Sequence, residues 1–422
     1  MRHRGRRPRA LLTIALLGAL AAAAQEPPSK DAPPDDGPVV ERARIVPPRS
    51  AAPAPEAPDA EAPPADPRDP LRALRPPVAE RPGHHAVREV RLLKAGAGRV
   101  DGARQDDWIA FDMRGTDERY DLYVMRIEVG IETCLTCDNY VFRKVHVLDP
   151  AWHPSGEYLV VLAQGSPKRR DLSTALLTTP LRGIGSEVWV LTRDGRDAWQ
   201  LTTVGERGGA VLEPHFSHES DFLVWSERLT HVAEPWGEWG LLVTEFRIRR
   251  GQPHLGKTRT YRSGIGHGLA VAHELTPDDG GLLVSAIPDR SLPQSDVVRL
   301  DLESERIERL TSTPDENDEL ASNVPYGDYY VWVTDRGLGD RRGRLPRRNE
   351  LWLRSAPGHV QERLTYFNHP RSDHYLGDAM IGDVSWTADG ESLLLHVVSS
   401  PEGSGEVGEG VYLVKLGKEY RR

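Results

Sequence analysis

Cysteine is almost missing from this chain: 422 residues hold two, Cys134 and Cys137, in Cys134-Leu-Thr-Cys137. With no second pair, a four-thiolate structural metal site is excluded. Asp138 stands where covalent haem attachment would need a His. Long apolar runs are equally scarce. After residue 24 no stretch approaches the roughly 20 apolar residues that cross a bilayer as a helix. Positive charge is in deficit, with 54 Lys and Arg against 63 Asp and Glu and a formal charge of −9. A surface of that sign, with no long basic stripe, argues against nucleic acid and anionic membrane surfaces as partners. The pentapeptide Gly-x-Ser-x-Gly does not occur, so the nucleophile elbow of an α/β serine hydrolase is missing as well.

What is present is repetition. Four times an acidic residue opens a short apolar run and a Leu-Thr pair follows, the Leu 14 places after the acid: Asp121…Leu135-Thr136, Glu187…Leu201-Thr202, Asp296…Leu310-Thr311 and Glu350…Leu364-Thr365. The runs are β-branched, aromatic and leucine-rich, too short for helices and bounded by turn residues, which predicts strands. A second element precedes the first. A polar turn starts at Trp152, Phe216, Leu275 and Trp386, with weaker copies at Gly102 and Asn323, and an apolar strand begins about six residues later. Pro, Asp, Ser and Gly inside it supply the fixed φ, the side-chain-to-backbone bond and the positive φ of a tight turn. Each unit therefore reads as four short antiparallel strands, and six units describe an all-β, six-bladed β-propeller. The last unit has strands at Val384 to Trp386, Leu393 to Val398 and Val411 to Val414 but no Leu-Thr strand. Val90 to Leu93 is expected to supply it and to close the ring. Unit three is irregular: after Leu241 to Val243 a basic stretch, Arg247 to Arg262, is expected to intervene before the fourth strand.

The turn pattern and the strands ending in Leu-Thr resemble the TolB-type propeller repeat, and the WD-like repeats of propellers in prolyl-oligopeptidase-type enzymes, over about Ala86 to Lys418. The small α/β domain that precedes the TolB propeller has a proline-rich segment in its place here. In TolB the resemblance implies a protein partner, the peptidoglycan-associated lipoprotein, at the propeller mouth. Oligogalacturonate lyases share the repeat and bind a metal through histidines, but no matched set of ligand positions lines up in this sequence.

Arg2, Arg4, Arg6, Arg7 and Arg9, an apolar stretch from Ala10 and a small-residue end at Ala22-Ala23-Ala24 form the three parts of a secretory signal. The expected domains are thus a signal peptide over 1–24, a linker over 25–85 and the propeller over 86–418, in a periplasmic or secreted protein. Loss of the signal takes the formal charge from −9 to −14. The linker holds 17 of the 34 prolines; such a composition is expected to stay extended or disordered, as a tether or a docking strip.

First strands of propeller blades run beside the axis. That would place Asp149, Glu213, His215, His273, Glu274 and Asp383 at the funnel, where they are expected to contact an envelope protein or peptide. The alternative is a metal-dependent polysaccharide lyase or hydrolase with its site in the same funnel; the simplest reading is a polar lining around water. No cofactor is expected, and the mature protein is expected to be a monomer without stable membrane insertion. Cys134 and Cys137 allow a local disulfide in an oxidising compartment, two spare thiols, or a redox or metal role. Trp108, Trp189, Trp332, Trp352 and Tyr412 read as packing between blades. Trp236 and Trp239 read either as cover over blade three or as an exposed contact. Arg336 to Arg348, with six Arg, reads as a solvated loop or an anion contact.

Overall fold

The six-residue step from turn to strand sets the architecture. In every unit the first strand ends and the second begins at the expected pair: Gly102 and Trp108, Trp152 and Tyr158, Phe216 and Phe222, Leu275 and Gly281, Asn323 and Tyr329, Trp386 and Ser392. The computed structural model describes residues 83, 85–165, 183–230, 238–262, 270–286, 294–313, 315–325, 329–338, 348–355, 361–401 and 407–417. The expected signal peptide, all of the linker except residues 83 and 85, Trp236, and most of the arginine-rich run at 336–348 lie outside the described residues.

Six four-stranded antiparallel sheets make a β-propeller. Blade one comprises Ala97–Gly102, Trp108–Arg114, Tyr120–Arg126 and Glu132–Cys134, and blade two His146–Trp152, Tyr158–Gln164, Ser186–Thr192 and Ala198–Gln200. Blade three comprises Val211–Phe216, Phe222–Arg228, Trp239–Arg249 and Gln252–Arg262, and blade four Ala270–Leu275, Gly281–Ala286, Asp296–Asp301 and Ile307–Arg309. Blade five is Asp318–Asn323, Tyr329–Thr334, Glu350–Ser355 and Gln361–Arg363. Blade six joins the chain's two ends: Asp378–Trp386, Ser392–Ser400 and Gly408–Leu416 are completed by Val87–Ala95, with Val90 opposite Val414 and Leu92 opposite Tyr412. Helix among the described residues is a single 3-10 turn, Gly205–Arg207.

The acid-to-Leu-Thr spacing is a hydrogen-bond device. The Leu amide donates back to the residue after the acid, in all four copies at 2.8–2.9 Å. The Thr hydroxyl then accepts the N–H of that same residue: Leu122 from Thr136, Val188 from Thr202, Val297 from Thr311 and Leu351 from Thr365, each 2.9 Å. Its proton goes to the acid, as in Thr136 to Asp121, Thr202 to Glu187 and Thr365 to Glu350. Glu187 also accepts from Val204 and Gly205, and Glu350 from Phe367 and Asn368. One carboxylate thus ties a blade's third strand to the loop leading into the next blade.

Blade three corrects the sequence reading. Arg247 to Arg262 is not an interruption before the fourth strand; it is the end of the third strand, the turn and the whole of the fourth. Arg250 (φ 54°) and Gly251 (φ 75°) form a two-residue turn with both φ positive, whose twist suits a hairpin. Phe246, Ile248 and Leu255 pack into the apolar cluster shared by blades two and three, and this alternation makes the basic segment a strand. Trp239 is buried. Trp108 and Trp189 pack in the cluster of blades one and two, Trp332 and Trp352 in that of blades four and five, and Tyr412 in that of blades five and six.

Candidate functional site

Asp149-Pro150 and Glu213-Pro214 place a proline inside a strand, which is tolerated only where the missing N–H has no partner to lose. Both pairs lie on first strands, whose axial side pairs with no strand among the described residues. There the ladder breaks: register shifts fall between Leu148 and Ala151 and between Leu212 and His215, with Asp149 at φ 56° and Glu213 at φ 49°. Such bulges re-aim side chains. Blade one shifts likewise between Ala97 and Val100, at Arg99.

These three bulges meet. Arg99 Nη1 lies 3.3 Å from Asp149 Oδ1 and is hydrogen-bonded to Glu213 Oε1, and all three side chains are under one-tenth exposed. Asp112, fully buried on the second strand of blade one, accepts the amides of Arg99 (3.2 Å) and Asp149 (3.0 Å). A Cβ at Gly98 would sit 2.2 Å from the Asp112 carboxylate, so the approach requires glycine. Burial alone would lower the Arg99 pKa, but Glu213, Asp149 and Asp383 outweigh it and hold the guanidinium charged. Burial pushes Glu213 and Asp112 well up and Asp149 up, with Arg99 opposing in each case. This ion cluster forms a buried plug between the first strands of blades one, two and three.

Every blade interface carries a related bond, from the side chain of one blade to an amide on the first strand of the next. The acceptor–donor pairs are Asp101 with Trp152 (2.7 Å), Asp149 with Glu213 (3.0 Å), Ser226 with Ala272 (2.7 Å), Glu274 with Asn323 (2.9 Å), Asn349 with Ile381 (2.6 Å) and Asp383 with Val100 (2.9 Å).

Next to the plug, where the first strands run into their polar turns, lies a cavity of about 280 Å³. Glu213, His215, His273, Glu274 and Asp383 line it; Asp149 is not in the lining and sits in the plug. Sequence reasoning missed Arg99, Asp101, Arg104, His218, Ser322 and Ser385. Arg99 had a signal: it stands three residues before the strand end Gly102, as Asp149 does before Trp152, Glu213 before Phe216 and Asp383 before Trp386. Asp101 accepts Ser385 Oγ at 2.6 Å, and burial raises its pKa to about 6. Burial lowers His215 and His273 to about 3, with Arg99 adding to both. Both imidazoles are therefore neutral near pH 7. Glu274 accepts Ser322 Oγ at 2.9 Å and has His218 Nε2 at 3.8 Å and Arg104 Nη2 at 3.9 Å. The wall is thus acidic and hydrogen-bonding, interrupted by Trp152, Phe216 and Trp386.

His273 Nε2 lies 2.5 Å from Ser285 Oγ, but Ser285 is fully buried and presents no nucleophile to the cavity. Among the described residues, the three potential metal-ligand side chains whose atoms fall within 4.8 Å of one another are Asp121, Cys134 and Cys137, outside the funnel. The two sulfurs there are joined in a disulfide and offer no thiolate. The funnel's histidines and carboxylates do not converge in that way.

No family model matches this chain, and neither does any curated protein. Solved structures do. A prolyl endopeptidase structure is 14% identical (TM-score 0.44) over 77% of this chain, which spans 42% of that one. TolB from Acinetobacter baumannii is 13% identical (0.39), covering 76% of this chain and 65% of its own. An oligogalacturonate lyase in complex with manganese is 10% identical (0.45), covering 80% and 95%.

Proposed function

We propose that this chain is an exported binding module of the cell envelope that receives a protein or peptide segment in the funnel of its propeller. The observation that carries the reading is a cavity where the first strands run into their polar turns, with Glu213 of the buried ion cluster in its wall. Arg99, Asp149 and Glu213 tie the first strands of blades one, two and three together, and a space of about 280 Å³ lies beside them. That volume suits a chain end or one to two side chains, held by a polar, largely acidic wall with Trp152, Phe216 and Trp386 as its apolar contacts. Glu274, Asp101 and Asp383 favour a ligand bearing N–H donors or positive charge, and neutral His215 and His273 add hydrogen bonds without opposing it. The donor geometry supports neither a nucleophile–base pair nor a metal-assisted lyase. Export is supported by the arginine-led, alanine-ended N-terminal sequence.

The test is selection of displayed peptides on the full-length protein, followed by affinity measurement on two variants. Ala388→Trp crowds the mouth and Glu274→Gln removes a rim charge. Selected peptides should carry an amine or guanidinium, and each substitution should weaken Kd at least tenfold. Peptides that bind wild type and both variants equally would overturn the reading.

A further inference from the structure

The hairpin of blade three is out of proportion to the rest. Its fourth strand, Gln252–Arg262, has 11 residues, against three in blades one, two, four and five. At about 3.4 Å per residue that is an edge of roughly 35 Å. It pairs with Trp239–Arg249 on one side and, among the described residues, with no strand on the other. Its two faces differ. On one, Phe246, Ile248 and Leu255 pack down into the cluster of blades two and three. The other begins as Leu241, Val243 and Tyr261, buried against blade four. By strand alternation it runs on as Arg247, Arg249, His254 and Arg259, all exposed. Residues 245–262 hold six Arg and Lys against a single acid, Glu245, in a chain of net charge −9. Arg262 pairs with Glu238, but among the described residues no side-chain hydrogen bond or ion pair ties Arg247, Arg249, Arg250 or Lys257.

A long open edge invites pairing by another chain, and proteins guard against it with Lys or Pro on the edge itself. Pro253 and Lys257 fit that role. Arg247 and Arg249 do not, because they stand one strand further in. Their charge is placed for something lying across the sheet.

We propose that this hairpin docks an acidic, extended polypeptide, which adds to Gln252–Arg262 as a fifth strand. Backbone bonds to the open edge would hold it, as in strand-addition recognition. Acids at every second position would then face Lys257, Arg259 and His254 across the strand gap, with Arg247 and Arg249 behind them. This site is separate from the funnel and does not depend on the function proposed for it.

Full-length protein is titrated with a fluorescent ten-residue peptide alternating Glu with Val or Thr, at low salt. Binding should be saturable and weaken as salt is raised. Arg247→Glu with Arg259→Glu, at exposed positions and checked for an unchanged melting temperature, should weaken Kd at least tenfold. The same peptide N-methylated at alternate amides keeps its charge but cannot pair as a strand, and should also lose at least tenfold. Arg196→Glu, on an exposed turn of blade two, should leave this Kd unchanged. Absence of peptide binding would overturn the proposal, as would equal affinity for the N-methylated peptide. Binding of phosphatidylglycerol vesicles in place of the peptide would overturn it too.

Discussion

A guanidinium taken out of water persists at the axis because carboxylates from two neighbouring blades meet it. Replacing Arg99 with Met keeps the bulk and leaves Asp149 and Glu213 buried without their counterion. We expect a loss of about 3–5 kcal/mol in urea unfolding. The pH dependence follows from the directions of the shifts. Burial holds the Glu213 and Asp149 pKa values above those of the unfolded chain. Such groups favour the fold at low pH and lose that contribution as pH rises through the folded value. The Arg99→Met deficit should therefore shrink as pH is lowered from 7 to 5; a deficit constant with pH would contradict the assigned cause. His273 has the opposite sign. Its folded pKa is about 3, below the unfolded value, so its contribution is present above about pH 6.5 and is lost as pH falls. Relative to His273→Gln, wild type should lose about 1.4 kcal/mol per pH unit between roughly 6.5 and 3, read from paired unfolding curves.

Among the elements, the acid–Thr staple explains why the repeat was visible in the sequence at all. A hydrogen bond between residues 15 apart fixes their spacing, and the spacing survives where the surrounding strands vary. Thr365→Val removes the hydroxyl that serves the Leu351 amide and the fully buried Glu350. It should cost about 1–3 kcal/mol, the penalty for leaving a buried polar group unpaired, in thermal or urea melts. Blades three and six lack the staple because their fourth strands are built differently: by a tight long hairpin in one, by the start of the propeller in the other. The hairpin was misread because Arg250-Gly251 is not a customary hairpin dipeptide and charge obscured the alternation of Phe246, Ile248 and Leu255. The first strands were legible, and with them five of the cavity-lining side chains. The bulges were not, because a bulge is a mismatch between two strands and neither sequence shows it alone. Arg99 was lost for that reason, and Asp149 was expected in the funnel when it belongs to the plug.

At the level of the molecule, the ring is closed by a single antiparallel strand pairing, Val87–Ala95 with Gly408–Leu416. Deleting Val87–Ala95 removes a strand and also exposes Leu413 and Val414 at an open edge of blade six. That variant should melt at a clearly lower temperature and aggregate on heating; an unchanged melting temperature would mean the closure contributes little. Reduction of Cys134–Cys137 should be mild by comparison. The loop it closes is very short, so about 2 kcal/mol is the most expected from the entropy of the unfolded chain, as read from melts with and without reductant.

The same closure imposes an order on biogenesis. Val87–Ala95 is made early, yet its partner Gly408–Leu416 emerges only after the other five blades have been synthesised. Until then the apolar flank of blade one, Val100 and Ile109 among it, awaits Leu394 and Val411. Newly made chains should pass through a long, sticky, unclosed stage, and whatever shields that flank decides how many reach the finished ring.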